Sequence, residues 1–266
     1  GQIQFNQPIE KDVLPKSLTH LDVGRNFNQT IAPGVLPPKL THLTFGYGFN
    51  QEIDKDVLPP SLTHLILGAS FPRFLPPSLT HLILGGKYNQ IIDPGGVPYG
   101  LTHLEFGWEY NQPIAPGVLP ATLTHLSFIR EYNHPIAPGV LPPSLTHLEF
   151  RDPSMYNHPI TPNILPTTLT HLSFGLEYNH PIAPGVLPGS LTHLEFHESS
   201  MYNHPISPGV LPPSLTHLSF GKYFNHQIAL GVIPESLTHF TVSDRYFRTY
   251  MPYWNNKPPY VMLYRT

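Results

Sequence analysis

The chain has 266 residues, 34 of them proline and 20 glycine, with no cysteine and a net charge of −3 from 14 Lys and Arg against 17 Asp and Glu. Proline blocks helix interiors, and no proline-free run exceeds 20 residues, which excludes long-helix folds, coiled coils and helical bundles. There is no apolar run of about 18 residues to cross a membrane, no basic-then-apolar start of a signal peptide, no thiol for disulfide or thiolate chemistry, and no basic stripe for nucleic acid.

Self-similarity organises everything else. Leu-Thr-His-Leu begins at residues 18, 40, 62, 79, 101, 123, 145, 169, 191 and 215, and Leu-Thr-His-Phe at 237. The spacing is 22 residues, except 17 after Leu62 and 24 after Leu145 and Leu191. Eleven copies at this period predict one solenoid domain over 1–243, in which each coil buries its apolar side only against its neighbours. The fold class expected is a leucine-rich-repeat-like β solenoid. It has one parallel sheet of about eleven short strands, proline-rich extended segments opposite, and little or no α-helix.

Within a coil, counted from its first Leu, positions 4 and 6 are apolar while position 5 carries Asp22, Glu105, Glu149 or Glu195 in different coils. This period-two alternation predicts a strand with positions 3 and 5 outward and positions 4 and 6 inward. An aromatic-Asn pair follows in ten coils, including Asn111, Asn133, Asn157, Asn179 and Asn203. An Asn at a fixed place can bond the backbone of the next turn, which a non-helical segment requires. Pro-Gly-Val-Leu-Pro-Pro-Ser then returns the chain in extended form with a turn at Pro-Gly. The short coil, with Ala69-Ser70-Phe71-Pro72-Arg73-Phe74, interrupts the Asn series and leaves Ile66 and Ile83 outward around it, a candidate contact surface. The tail from Arg248 through Trp254 to Tyr264 is rich in aromatics, so 244–266 is expected to cap the last core layer.

Phe-Asn-x-x-Ile followed by Pro-Gly-Val-Leu-Pro-x-Ser-Leu-Thr-His-Leu resembles the FNIP repeat family of amoebae and of giant viruses that infect them. Leu-x-x-Leu-x-Phe with Leu-Pro-Pro-Ser-Leu is also similar to the short leucine-rich repeats of bacterial effectors. The resemblance covers 1–243 and implies a leucine-rich-repeat-like solenoid. In viral members an F-box, which recruits a ubiquitin ligase, often precedes the repeats. No F-box segment stands in these residues, and Gly1 falls at position 6 of a coil.

The histidine column at position 3 includes His103, His125, His147, His171, His193 and His217. Metal binding and pH sensing are open to it, but a repeated structural ladder of stacked imidazoles is the favoured reading. Like charges about 5 Å apart depress one another's pKa, so most of the column is expected to be neutral at pH 7. A second set, in Asn-His-Pro-Ile, replaces Gln29, Gln51 or Gln112 of other coils and reads as a surface or inter-coil hydrogen bond. No His-Glu-x-x-His spacing, phosphate loop or Cys nucleophile is present, so no enzyme, metal or cofactor is expected. Asn28-Gln29-Thr30 is a glycosylation sequon whose Asn belongs to the ladder, and it is expected to stay unmodified.

Partner-binding residues are expected where the columns vary. On the strand face and just after it these are Tyr47, Glu105, Trp108, Arg130, Glu149, Arg151, Asp152, Glu195, His197 and Glu198. Two coils are two residues longer, each ending Ser-Met-Tyr, and these matched bulges add Met155 and Met201. Aromatic and Arg residues are the usual interface anchors. The expected function is a non-enzymatic scaffold that binds another protein through its strand face, in the cytoplasm of a host if viral. The family adds the role of substrate-recognition part of a ubiquitin-ligase adaptor. The alternative is a self-assembling or virion protein that uses an open N-terminal sheet edge.

Overall fold

The computed structural model describes residues 5–229 and 231–250, and the backbone of 262–265. The chain forms two compact units, Gly1–His125 and Leu126–Thr266. Each is a leucine-rich-repeat-like β solenoid.

The first unit carries β1 (His20–Asp22), β2 (His42–Thr44), β3 (His64–Ile66), β4 (His81–Ile83) and β5 (His103–Phe106), and β6 (His125–Ile129) begins on its last residue. β1 to β5 pair in parallel, each with the next, and the register sets His on His and Leu on Leu. The second unit carries β7 (His147–Arg151), β8 (His171–Phe174), β9 (His193–Phe196), β10 (His217–Ser219) and β11 (His239–Val242), then α1 (Asp244–Tyr250) and β12 (Met262–Arg265). β7 to β12 pair in parallel in the same way. A one-residue slip would turn every Leu outward, so the burial alternation fixes this register. The strand β12, set beside β11 with Met262 opposite His239, was not foreseen from the repeat. The expected aromatic tail of 251–261 lies outside the described residues.

The core consists of columns. Leu at positions 1 and 4 is almost wholly buried, as at Leu145 and Leu148, and each such side chain contributes about 2 kcal/mol. Position 6 and the aromatic before Asn stack within a coil and between coils. Phe174 and Tyr178 have ring centroids 3.8 Å apart, and Phe150 and Phe174 5.9 Å. The rings are nearly parallel, so they stack face to face along the column.

Backbone groups that are not in strands are bonded from coil to coil. The Asn28 N–H donates to Asn6 Oδ1 at 2.9 Å, and Asn179 N–H to Asn157 Oδ1 at 3.0 Å. The wall turns close by hydrogen bonds such as Val35 N–H to Ala32 O, 3.2 Å, with Gly34 at φ 78. That is a turn with Pro at its second residue and a left-handed residue at its third. Asp12, Asp56 and Asn163 take the left-handed place where Gly is absent, as Asp and Asn do most readily. The serine of Leu-Pro-Pro-Ser has its own task, unread in the sequence. Ser61 Oγ donates to Leu40 O, and Ser214 Oγ to Leu191 O, each at 2.6 Å.

One column is imperfect. The hydroxyl of Tyr156 is buried without a hydrogen-bond partner among the described residues. Burial pushes the Tyr156 hydroxyl far above its usual pKa. The same column holds Phe27, Phe49 and Phe224 in other coils. Tyr156→Phe is therefore expected to raise stability by about 1 kcal/mol, read as a higher urea midpoint; a lower midpoint would contradict it.

Candidate functional site

The histidine column lies on the strand face, exposed at His20 and half-buried from His42 onward. In the first unit, rings from His20 to His125 stack at 4.0 Å between successive centroids. In the second, His147 to His239 stack at 4.0–4.1 Å. The preceding threonine sets each ring. Thr192 Oγ1 lies 2.8 Å from His193 Nδ1 and 3.0 Å from Thr170 O. That carbonyl already accepts the N–H groups of Thr192 and His193 at 2.9 Å each. Thr192 Oγ1 donates to the same carbonyl, and its oxygen holds the ring in place through the contact with Nδ1. Parallel rings direct their outer nitrogens in parallel rather than toward a common point. Among the described residues, no three His, Asp or Glu side chains converge as a metal site would need.

Burial first, and then the neighbouring imidazoles, lower the pKa of His42, His64, His81, His103 and His217. His193 is pulled furthest, to about 4. His171 is lowered by burial, with Glu149 acting against it. The second histidine set bonds between coils, His158 Nε2 donating to Asn133 O and His180 Nε2 to Asn157 O at 3.0 Å. His226 does the same to Asn203 O at 3.1 Å. Its missing proline neighbour hid it from the Asn-His-Pro-Ile pattern.

In the first unit, Tyr47 and Trp108 stand at the strand C-terminal edge, 64% and 49% exposed. A Cβ placed on Gly86 would lie 3.6 Å from the Tyr47 ring and 4.0 Å from Trp108. The structure thus joins two aromatics that are far apart in sequence, and Arg25 sits 5.8 Å above the Tyr47 ring. Glu105 on β5 is half-buried behind Ile83 of β4. Ile66 and Ile83 are cross-strand partners, with Ile66 36% exposed.

In the second unit, the strand face carries a connected set of charges. Glu149 Oε2 takes Arg151 Nε at 2.8 Å and Ser127 Oγ at 3.4 Å. Ser127 is buried at position 5, where an outward residue was expected, because the longer neighbour Glu149 leans over it. Arg130 sits in the left-handed region at φ 51 and pairs with Glu131 at 3.1 Å.

The two bulges are ordered. Ser154 and Ser200 are buried at their centres and accept the N–H groups of Tyr156 and Tyr202. Met155 N–H donates to Arg130 O at 2.6 Å, and Met201 N–H to Leu176 O at 2.8 Å. Both methionine side chains are 44% exposed. Asp152 of the first bulge reaches His197 of the second, Oδ1 to Nδ1 3.2 Å. The same Nδ1 lies 3.2 Å from the Ser199 N–H, which it accepts only while it keeps its lone pair. A groove of about 420 Å³ runs beside them, lined by Glu195, His197, Glu198, His217 and Ser219 among others. The sequence marked these residues by column; the bulge-to-bulge contact and the buried serines came only with the fold.

A family model described as FNIP repeat matches residues 5–48, 49–87, 71–109, 88–131, 110–152, 156–199 and 202–243. Among solved structures, the chain is similar to CroV588, a giant-virus protein described as a novel circular leucine-rich-repeat structure. The identity is 46% and the TM-score 0.75, over 87% of this chain and 37% of that one. The chain thus spans little more than a third of the length of that protein. Comparison with curated proteins gives no match. With the repeat model matched over most of its length, from residue 5 to residue 243, the chain belongs to the FNIP repeat family.

Proposed function

We propose that this repeat protein is a scaffold that binds another protein through its strand face and the loops at the strand C-terminal edge. The observation that carries the reading is the pair of bulges, each locked by a buried serine and each holding a methionine 44% exposed. Ordered, exposed methionines on a rigid element resemble interface anchors, because the flexible thioether adapts to a partner's surface. Arg130, Arg151, Asp152, His197 and Glu198 form a polar rim around them, and Glu149 and Glu195 stand on the adjoining face. Tyr47, Trp108 and Glu105 provide a second anchor patch in the first unit. The His and Asn columns are assigned to structure, and residues 244–266 to capping. The role of ubiquitin-ligase adaptor, and a cytoplasmic site of action, draw support from the family resemblance.

The test compares proteins retained from amoebal cytosol by the intact chain and by Met155→Ser/Met201→Ser. Both side chains are exposed, so the double variant should keep its melting temperature and lose its specific partners. The same partners held equally by both proteins would refute binding at the bulges.

A further inference from the structure

We propose that the groove on the strand face of the second unit receives an arginine side chain of the partner protein, its guanidinium paired with Glu195. This rests on the reading that the strand face binds a protein, and names the chemistry recognised there.

Two matched coils differ at this point. Residues 145–150 and 191–196 are both Leu-Thr-His-Leu-Glu-Phe, and both coils go on to Ser-Met-Tyr. Between them stand Arg151-Asp152-Pro153 in the first and His197-Glu198-Ser199 in the second. In the first coil Arg151 Nε donates to Glu149 Oε2 at 2.8 Å, and the same oxygen takes Ser127 Oγ at 3.4 Å. In the second coil the arginine place holds His197, whose Nδ1 is engaged by Asp152 and Ser199. Glu195 is exposed and makes no hydrogen bond or ion pair among the described residues. Residues 169–214 carry Glu177, Glu195 and Glu198 and no lysine or arginine. Lys222 of the next coil lies over the Tyr223 ring, 5.2 Å from its centroid, and forms no ion pair among the described residues. The chain therefore neutralises one of two equivalent glutamates with its own guanidinium and leaves the other to be neutralised from outside.

The space beside Glu195 suits that group. In register with it stand short residues, Ser219 on β10 and Thr241 on β11. A groove of about 420 Å³ opens over them, with His193 and His217 along one side and His197 and Glu198 along the other. Burial and neighbouring imidazoles hold His193 down to about 4 and lower His217, so these rings are uncharged at pH 7 and do not repel a cation. An arginine stem can lie along the groove while its planar fork meets the carboxylate. Arg151 on Glu149 already shows that pairing within the chain.

The probe is N-acetyl-arginine amide, titrated into the isotope-labelled full chain and followed by NMR. Saturable shifts at Glu195, His217 and Ser219 are expected, with a dissociation constant in the millimolar range that rises with salt. Glu195→Gln should weaken binding about tenfold, as loss of one charge-assisted hydrogen bond does. His197→Arg should weaken it as much with both carboxylates present, because the chain then pairs Glu195 itself. Unaltered melting temperatures verify the fold of each variant. Equal binding of the uncharged citrulline analogue or of the lysine analogue, or full binding by Glu195→Gln, would overturn the proposal. So would a dimer in light scattering that Glu195→Gln abolishes, since the groove would then hold a second copy. Cytosolic partners that need Met155 and Met201 but are held equally by Glu195→Gln would overturn the arginine site and leave the scaffold reading in place. Saturable arginine binding by a chain that retains no cytosolic partner would support the arginine site and count against the scaffold reading.

Discussion

Acidification from pH 7.5 to 5 should lower the melting temperature by about 10 °C. Seven stacked imidazoles, His42, His64, His81, His103, His171, His193 and His217, have pKa values held below the ordinary 6.5. Burial comes first among the causes, followed for most of them by the charge each neighbour would add. The unfolded chain therefore takes up protons first as the pH falls. The ladder's contribution is complete above about pH 7, is lost as pH drops through 6.5, and for His193 is gone near its folded value of about 4. Thermal melts followed by circular dichroism across this range give the slope directly. His193→Gln should flatten it, since Gln keeps a polar contact and cannot charge. A melting temperature that stays level between pH 7.5 and 5 would show that the stacked rings do not oppose protonation.

Gly85→Ala should be the most damaging single methyl group in the first unit, lowering the melting temperature by more than about 10 °C. Gly85 follows β4 and lies against the turn of the preceding coil. A Cβ there would lie 1.3 Å from the Gly68 carbonyl oxygen and 2.3 Å from its carbon. Both are backbone atoms in the adjacent turn, so no side chain can swing aside, and the two coils must separate. Separation uncovers Leu82 and Leu84, which are almost fully buried. Gly189→Ala is the control, because its Cβ would meet nothing within 4 Å; it should leave stability unchanged or slightly raised through lost freedom in the unfolded chain. Equal melting temperatures for the two variants would mean that the turn after β4 can open without cost.

The repeat made most of the fold legible. Position 4 Leu and position 6 Phe alternate with polar residues in most strands, and only a parallel stack at a fixed register buries them all, as with Leu148 and Phe150 beside Leu172 and Phe174. The Asn ladder could be read in advance because a proline-rich wall leaves amide groups to satisfy. The strand β12 could not. Met262–Arg265 carries no Leu-Thr-His signature, yet it pairs in parallel with β11. The left-handed turns at Asp56 and Asn163 were hidden for a similar reason: Pro-Gly marks the turn, and Asp or Asn can replace Gly only at small energetic cost.

The candidate sites were legible as columns and not as places. Sequence by itself determined that the chain is a solenoid of FNIP repeats, which residues face inward, and which columns vary. Period and alternation are local properties, repeated often enough to leave one answer. Tertiary structure decided which variable residues meet. It brought Asp152 to His197 across an intervening coil, set Tyr47 near Trp108, and opened a notch beside Phe74 where five residues are missing. Those contacts depend on small departures from the repeat, and a departure acquires its neighbours only when the coils are stacked.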